Sequence, residues 1–449
     1  MNHLEFFPLM PLLASTLHTA LPSLGMVLPF VALLLCIALL PIFALHFWER
    51  HYPKVALLLA LVTAGYYAGV RREWEPLHHA AREYVGFMAL VGSLYVISGG
   101  ISIRVRGAAS PMVNTLYLLI GAVLANLIGT TGASMLLVRP WIRMNRHRIT
   151  SFHIVFFIFV VSNVGGCLTP IGDPPLFLGF LRGVPFSWVL THCWSAWLLA
   201  LTLLLAVFYG FDALNFRRAP QQVRQEKTEH EEWHFRGLLN VFWLGVVLAA
   251  VFLPASLQNM ALFGVVTVPA LLMAAAAIAS WFTTRSEVHE ANDFNFGPVR
   301  EVGFLFAGIF VTMIPALQLL QGGGVTGIDT ALHYYFATGS LSAFLDNAPT
   351  YLAFLAAAMG RAHLSVDSPA DVAAFASEHA GLLMAISLGA VFFGAASYIG
   401  NGPNFMVKAI AEASSVRTPS FIGYIVRYSL PILLPILIIT GWLMLSAAH

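Results

Sequence analysis

No acidic or basic residue occurs between Gly237 and Thr284. Two further uncharged stretches run from Gly107 to Val138 and from Val184 to Phe211. A bilayer-crossing helix needs about 20 mostly apolar residues, and each stretch is at least that long. The first is long enough for two spans, with Pro254 near the turn between them. Only 10% of the 449 residues are charged and 59% are hydrophobic, and mean hydropathy is +0.80. Soluble domains carry about 25% charged residues, so a polytopic all-α membrane protein is expected.

A net charge of +2 gives no basic footprint for nucleic acid. The three cysteines form no C-x-x-C pair, so neither a disulfide framework nor a cysteine metal site is signalled. Glu5 is the one charge near the start, with no basic region before the apolar run, which is unlike a secretory signal.

Two stretches inside apolar sequence contain residues that break helices. "LTPIGDPPLFLGFL" begins at Leu168 and "SYIGNGPNFMVKAI" at Ser397, and Ile171-Gly172-Asp173 lies over Ile399-Gly400-Asn401. Two more pairs match in the same order. "EYVGFMALVGSLYVI" lies over "EVGFLFAGIFVTMI", and "TTGASMLL" over "DNAPTYLA". Three ordered matches imply an internal duplication, a feature of secondary transporters. The charged stretch from Asn215 to Gly237 separates the halves. The expected organisation is an N-terminal surface or extra helix at 1–23, a first membrane repeat at 24–214, a cytoplasmic linker at 215–237 and a second repeat at 238–449.

Lys and Arg mark cytoplasmic loops. Arg104 and Arg106 precede the "IGTTGA" segment, and Arg139, Arg143, Arg146 and Arg148 follow it. With both flanks on one side, Pro111 to Trp141 is a re-entrant helical hairpin turning at mid-membrane. The corresponding segment at Asp346 is flanked by Asp329 and by Asp367, Asp371 and Glu378, so its hairpin enters from outside. The halves are therefore expected to be inverted repeats. Each has three spans, a hairpin, a broken transmembrane helix and a final span. The first half opens with spans from Leu24 to Trp48, Pro53 to Val70 and Tyr84 to Ile103. The second opens with Leu238 to Leu253, Leu257 to Phe282 and Val302 to Leu320. Arg71, Arg72 and Arg82 fall on the outer side and are the exception to the charge rule.

Non-helical backbone at membrane depth is tolerated only inside protein or beside a water-filled cavity. Four breaks are expected, at 129–133, 163–175, 346–349 and 397–403. Packed about a pseudo-two-fold axis, they converge at the midplane with helix N-termini and freed carbonyls. Asp173 and Asp346 sit at breaks, and an intramembrane carboxylate is a functional candidate by its burial cost. Desolvation favours the neutral acid and a bound cation favours the carboxylate, which is the physics of cation–proton exchange. The competing reading of Asp173 is an N-cap for the helix starting at Pro174. Asn347, Thr350, Asn401, Asn404, Asn163, Thr169, Thr130 and Thr131 supply oxygens suited to a hard cation such as Na⁺, with Asp346 and Asp173 as its acids. Lys408, past the second break, is expected to snorkel to the cytoplasmic surface.

The motifs "IGTTGASMLLVRPWIR", "SNVGGCLTPIGDPPLFLGFLRGVPF", "LSAFLDNAPTYLAF" and "YIGNGPNFMVKAIAE" resemble the ion transporter superfamily. Within it, the chain resembles the arsenite-permease and sodium–proton antiporter-like members and the CitMHS-like citrate transporter branch. The likeness covers nearly all of the chain after the first twenty or so residues. It implies inverted repeats, a scaffold and a moving transport domain, a homodimer and an elevator-like movement. Leu345-Asp346-Asn347 resembles the acidic signature of the sodium–proton and arsenite branches. The Ser-Asn-Thr triplets of the dicarboxylate branch are absent.

These readings predict a secondary active transporter in the inner membrane of a bacterium, not an enzyme. It is expected to exchange Na⁺ for H⁺ by alternating access, with no cofactor beyond those ions. The alternative cargo is citrate or another organic anion coupled to protons or cations. His230-Glu231-Glu232-Trp233-His234 satisfies H-E-x-x-H, but it sits in the charged linker with no third ligand, so a solvated connector is expected there.

Overall fold

The computed structural model describes residues 21–104, 110–219, 234–258, 260–262, 264–292, 294–323 and 327–446. The segment 1–20 and the H-E-x-x-H residues 230–233 lie outside the described residues. Eight helices among those described are long and apolar enough to cross a membrane. Leu58, Leu61, Ile120, Leu198, Ile278 and Trp442 are exposed on helix exteriors, as lipid-facing side chains must be. The chain is an all-α polytopic membrane protein.

Helix α1 (Leu28–Phe43) is separated from α2 (Leu45–Gly65) by Ala44 alone. The second span therefore starts earlier than Pro53, which lies inside α2. Helix α3 (Glu75–Gly99) completes the opening three spans.

The helix α4 (Pro111–Met144) has 34 residues, which laid straight would measure about 50 Å. It is not straight. Gly129 has φ 75 and ψ 155, a conformation open to glycine because it lacks a Cβ. Asn114 Nδ2 donates to Asn145 Oδ1 at 2.8 Å, and the Tyr117 hydroxyl donates to the Leu137 carbonyl at 2.9 Å. The Tyr117 and Trp141 rings stack at 5.4 Å. These contacts require the two arms to lie side by side, so α4 is the expected hairpin with Gly129 at its tip.

Next come α5 (Ser151–Val160), a 3-10 turn at Val164–Leu168, α6 (Pro174–Arg182) and α7 (Trp188–Arg218). The second half opens with α8 (Leu239–Val251) and α9 (Val268–Thr283). Here the expected span from Leu257 is too long. Residues 261–262 and 266–267 pair as a small β-hairpin, and Thr267 caps α9 by accepting from Ala270 N–H. Helices α10 (Gly297–Thr312) and α11 (Ile314–Gly323) form one span.

Helices α12 (Ala331–Ser342) and α13 (Asn347–Arg361) make the second hairpin. Asp329 and Arg361 pair at 2.6 Å across its base, and the Tyr334 and Phe354 rings meet between the arms. Then follow α14 (Pro369–Glu378), a 99° bend, α15 (Ala380–Phe393), α16 (Gly402–Ala413) and a last span at Phe421–Leu445.

The two broken helices run antiparallel. Ser151 Oγ, at the start of α5, donates to the Arg417 carbonyl just past α16. Arg182, at the end of α6, pairs with Asp367 before α14. The hairpin bases consequently lie at opposite faces, as inverted repeats require. One face also carries a two-stranded ribbon in which β1 (Ser102–Arg104) pairs with β2 (His234–Arg236). This ribbon brings the loop before the first hairpin next to the end of the linker. The linker begins later than residue 215, because α7 continues to Arg218.

The helices sort into two packed groups, and α11 lies against α13 of the second hairpin. One group contains α1–α3 and α8–α10, with Phe87 stacked on Phe306 at 4.4 Å. Its α3, α8 and α9 are tied by Asn240, whose Nδ2 donates to the Gly100 carbonyl at 2.7 Å and whose Oδ1 accepts from Ser280 at 2.6 Å. The other holds both hairpins, both broken helices, α7 and the last span.

Candidate functional site

The four breaks meet. The Thr130 N–H, at the first hairpin tip, donates to the Gly172 carbonyl at 2.7 Å, and the Asn347 N–H, at the second tip, donates to the Gly400 carbonyl at 3.2 Å. These are similar contacts in the two repeats, each running from a hairpin tip to one of the two glycines that the sequence match superposes. A Cβ on Gly172 would collide with the Gly166 carbonyl, and one on Gly400 would sit 2.6 Å from the Gly394 carbonyl. Only glycine allows the chain to pass itself this closely.

Asp173 stands at the centre, fully buried. Its Oδ1 accepts from Thr130 Oγ1 at 2.7 Å and from Asn401 Nδ2 at 2.9 Å. Its Oδ2 accepts from Asn347 Nδ2 at 2.7 Å. One carboxylate thus joins residues from both hairpin tips and both broken helices. The side chain makes no capping bond to α6, so the N-cap reading of Asp173 fails. The second arm of α4, α6, α13 and α16 all begin here, so four helix N-termini surround the carboxylate with partial positive charge.

Asp346 is placed differently from expectation. It is partly exposed, and its Oδ1 accepts from the Ala348 N–H at 3.0 Å, capping α13. Capping directs the carboxylate back along its own helix, so Asp346 does not join the hydrogen-bond network of Asp173. Thr350 Oγ1 donates to the Asp346 carbonyl within the same helix at 2.9 Å, which fixes the cap rather than facing the centre.

Asn163 and Asn404 repair the broken backbone. Asn404 Nδ2 donates to the carbonyls of Gly394 at 2.8 Å and Ser397 at 2.9 Å. Asn163 Nδ2 donates to the Ile158 carbonyl and to Asn404 Oδ1, and its Oδ1 accepts from Asn401. Thr169 Oγ1 donates to the Asn126 carbonyl at 2.6 Å. Thr131 lines a crevice against α3 with Thr130, Gly129, Asp173, Leu90 and Phe177. Asn347 Oδ1 is buried and has no hydrogen-bond partner.

Sequence reasoning missed Asn126, whose Nδ2 donates to the Gly165 carbonyl at 2.7 Å and whose Oδ1 accepts from the Leu168 N–H at 2.8 Å. Its signal was an amide side chain inside an uncharged stretch. A second missed cluster ties down the base of the first hairpin. Asp212 pairs with Arg148 and accepts from Asn114 Nδ2 at 2.7 Å, with His153 Nε2 at 3.1 Å. Arg148, read as a solvated cytoplasmic marker, is buried. Lys408 pairs with Glu412 at 2.8 Å rather than with an acid of the site.

A family model described as "Putative citrate transport" matches residues 19–445. The chain belongs to that family. A comparison with curated proteins gave no match. Membership in the citrate-transport family bears out the resemblance carried by the paired motifs, and the match spans both repeats. The protein is a multi-pass membrane protein of a secondary-transporter family, and the Asp173 centre lies at the meeting of the repeats.

Proposed function

We propose that the protein carries a citrate-class polycarboxylate across the membrane, coupled to a proton or cation through Asp173. The observation behind this reading is the donor set. A hydroxyl and two amide N–H groups from three separate elements converge on one buried carboxylate. Such a cradle recognises carboxylate by its donors and its helix N-termini. A proton added to Asp173 converts an acceptor of these bonds into an acid. Thr130, Asn347 and Asn401 then become free to hold a carboxylate of the cargo. When the cargo leaves, the proton leaves and Asp173 takes the donors back. The family description supports the same cargo class.

The test is uptake of labelled citrate into proteoliposomes under imposed pH and Na⁺ gradients. Gradient-driven uptake is expected in the wild type and lost in Asp173→Asn, which keeps the shape but cannot carry the proton. Citrate–citrate exchange is retained in that variant. Wild-type gradient-driven uptake by Asp173→Asn would sink the coupling role.

A second reading is Na⁺–H⁺ antiport, with Asp346 and Asp173 as the acids originally expected. One observation favours it, namely the buried and partnerless Asn347 Oδ1 beside the Asp173 carboxylate, an oxygen suited to a hard cation. Na⁺-driven proton movement in the same vesicles without citrate would establish this reading and displace the first.

A further inference from the structure

Helix α6 begins beside Asp173 and ends at Arg182, about 13 Å further along its axis. Arg182 is buried and is shared by two acids. Its Nε and Nη2 grip Glu83 of α3, the latter at 2.8 Å, and its Nη1 pairs with Asp367. The acids sit on opposite sides of a boundary. Glu83 is on α3, in the group that holds α8 and α9. Asp367 precedes α14, which is tied to α7 by Trp188 Nε1 donating to the Ala376 carbonyl at 2.7 Å. The chain at Pro369 also presses on the end of α6, where a Cβ on Gly183 would meet the Pro369 carbonyl at 2.8 Å. Asp367 is therefore fixed to the same group as α6.

Each charge at the boundary has a second partner on its own side. Arg182 retains Asp367 when it parts from Glu83. Glu83 retains His79, one turn earlier on α3, whose Nδ1 lies 3.7 Å from its carboxylate. Parting a buried pair is costly because it strands a charge, and here neither charge is stranded. In the other repeat the charge on α16 stays within its own helix, Lys408 pairing with Glu412. The pairing across the boundary through Arg182 thus belongs to one repeat and one face.

We propose that Glu83, Arg182 and Asp367 form a releasable latch between the two helix groups, holding α6 and the Asp173 centre in the arrangement seen here. On release, Arg182 passes from a shared position to Asp367 alone, an exchange of ion pairs of the kind that lets packed interfaces switch between two states. The latch rests on the carrier reading in that the groups move during a transport cycle, and it does not depend on the cargo.

Thiol labelling reads the released state. Leu90 of α3 is 2% exposed and lines the crevice against Phe177 and Asp173, so a cysteine there reacts only when α3 and α6 part. The full chain is placed in proteoliposomes with Cys36, Cys167 and Cys193 replaced by alanine, and Leu90→Cys is treated with a membrane-impermeant methanethiosulfonate. Leu94→Cys, on the same crevice wall, serves should that variant not fold. Adding Glu83→Gln removes the partner across the boundary, and labelling is expected to speed up by about fivefold or more. Adding Asp367→Asn removes the partner that Arg182 retains on release, and labelling is expected to slow. A cluster that only stabilises the fold would loosen in both variants. Labelling that speeds up in both, or that Glu83→Gln leaves unchanged, would overturn the latch.

A bridge gives the converse test. A Cβ on Gly86 of α3 meets Leu181 of α6 at 3.7 Å, so Gly86→Cys with Leu181→Cys can be joined by a short bis-methanethiosulfonate. Bridging is expected to stop gradient-driven citrate uptake and reduction to restore it, whereas full uptake by the bridged chain would contradict the latch. A chain that gives the opposed labelling responses but carries no citrate keeps the latch and loses the citrate reading.

Discussion

Asp173 and Asp346 are both aspartates at predicted breaks, yet their surroundings give them different work. Asp173 faces three donors from other elements, whereas Asp346 faces the amide of its own helix. Asp346→Ala is expected to cost about 1 kcal/mol, the usual loss for an N-cap, seen as a small fall in thermal stability in detergent with gradient-driven uptake retained. Asp173→Ala leaves Thr130, Asn347 and Asn401 without their acceptor, at about 1–3 kcal/mol for each buried group, and abolishes gradient-driven uptake. Equal transport losses in the two alanine variants would contradict this division. The sequence placed both acids at breaks but weighted Asp346 more heavily. Which acid turns inward depends on a few backbone angles around each break, and composition does not encode these. The same limit hid the roles of Asn163 and Asn404. They looked like ion ligands, but freed backbone carbonyls inside a dry core claim their amides first.

Elements were more legible, because glycine and proline placements report backbone geometry directly. Each hairpin tip makes a similar backbone contact to a broken helix, and the accepting glycines, Gly172 and Gly400, are the ones that the sequence match superposes. Less legible were α9 and the start of α2, where apolar composition continues through a β-hairpin and across Ala44. Hydrophobicity measures what lipid accepts and not where a helix starts. The glycines of the breaks give a paired prediction. Gly172→Ala drives a methyl into the Gly166 carbonyl and should lower the melting temperature markedly or prevent folding. A Cβ on Gly402 meets nothing within 4 Å, so Gly402→Ala should be neutral or stabilising by up to about 1 kcal/mol. Thermal unfolding of both variants in detergent checks the contrast, and equal melting temperatures would remove the steric argument.

At the scale of the molecule, two buried ionic clusters have different reach. The Asp212 cluster lies within one group of helices and fixes the first hairpin to α5 and α7. The Glu83–Arg182 pair connects the groups, joining α3 to the end of α6. Removing one partner of a buried pair costs about 3–5 kcal/mol, because the other charge stays buried. Asp212→Asn should therefore destabilise by about that amount. The double variant Glu83→Gln with Arg182→Gln should recover part of the loss seen in Glu83→Gln alone. Additive losses in the double variant would mean that the pair does not couple the groups. The division into repeats and their inversion was readable because duplicated motifs and flanking charges survive in the sequence. The clusters were not, since Arg148, Asp212, Glu83 and Arg182 lie far apart along the chain and each passes for an ordinary end-of-helix charge.

The repeats place an aspartate in one broken helix and an asparagine at the equivalent position of the other. A centre with one carboxylate compensates one elementary charge per turnover. A cargo with two or three negative charges then crosses with charge left over, and each such charge moved through the full field is worth about 2.3 kcal/mol per 100 mV. Transport would be electrogenic, and citrate added to protein-loaded planar membranes should draw a current whose size follows the applied voltage.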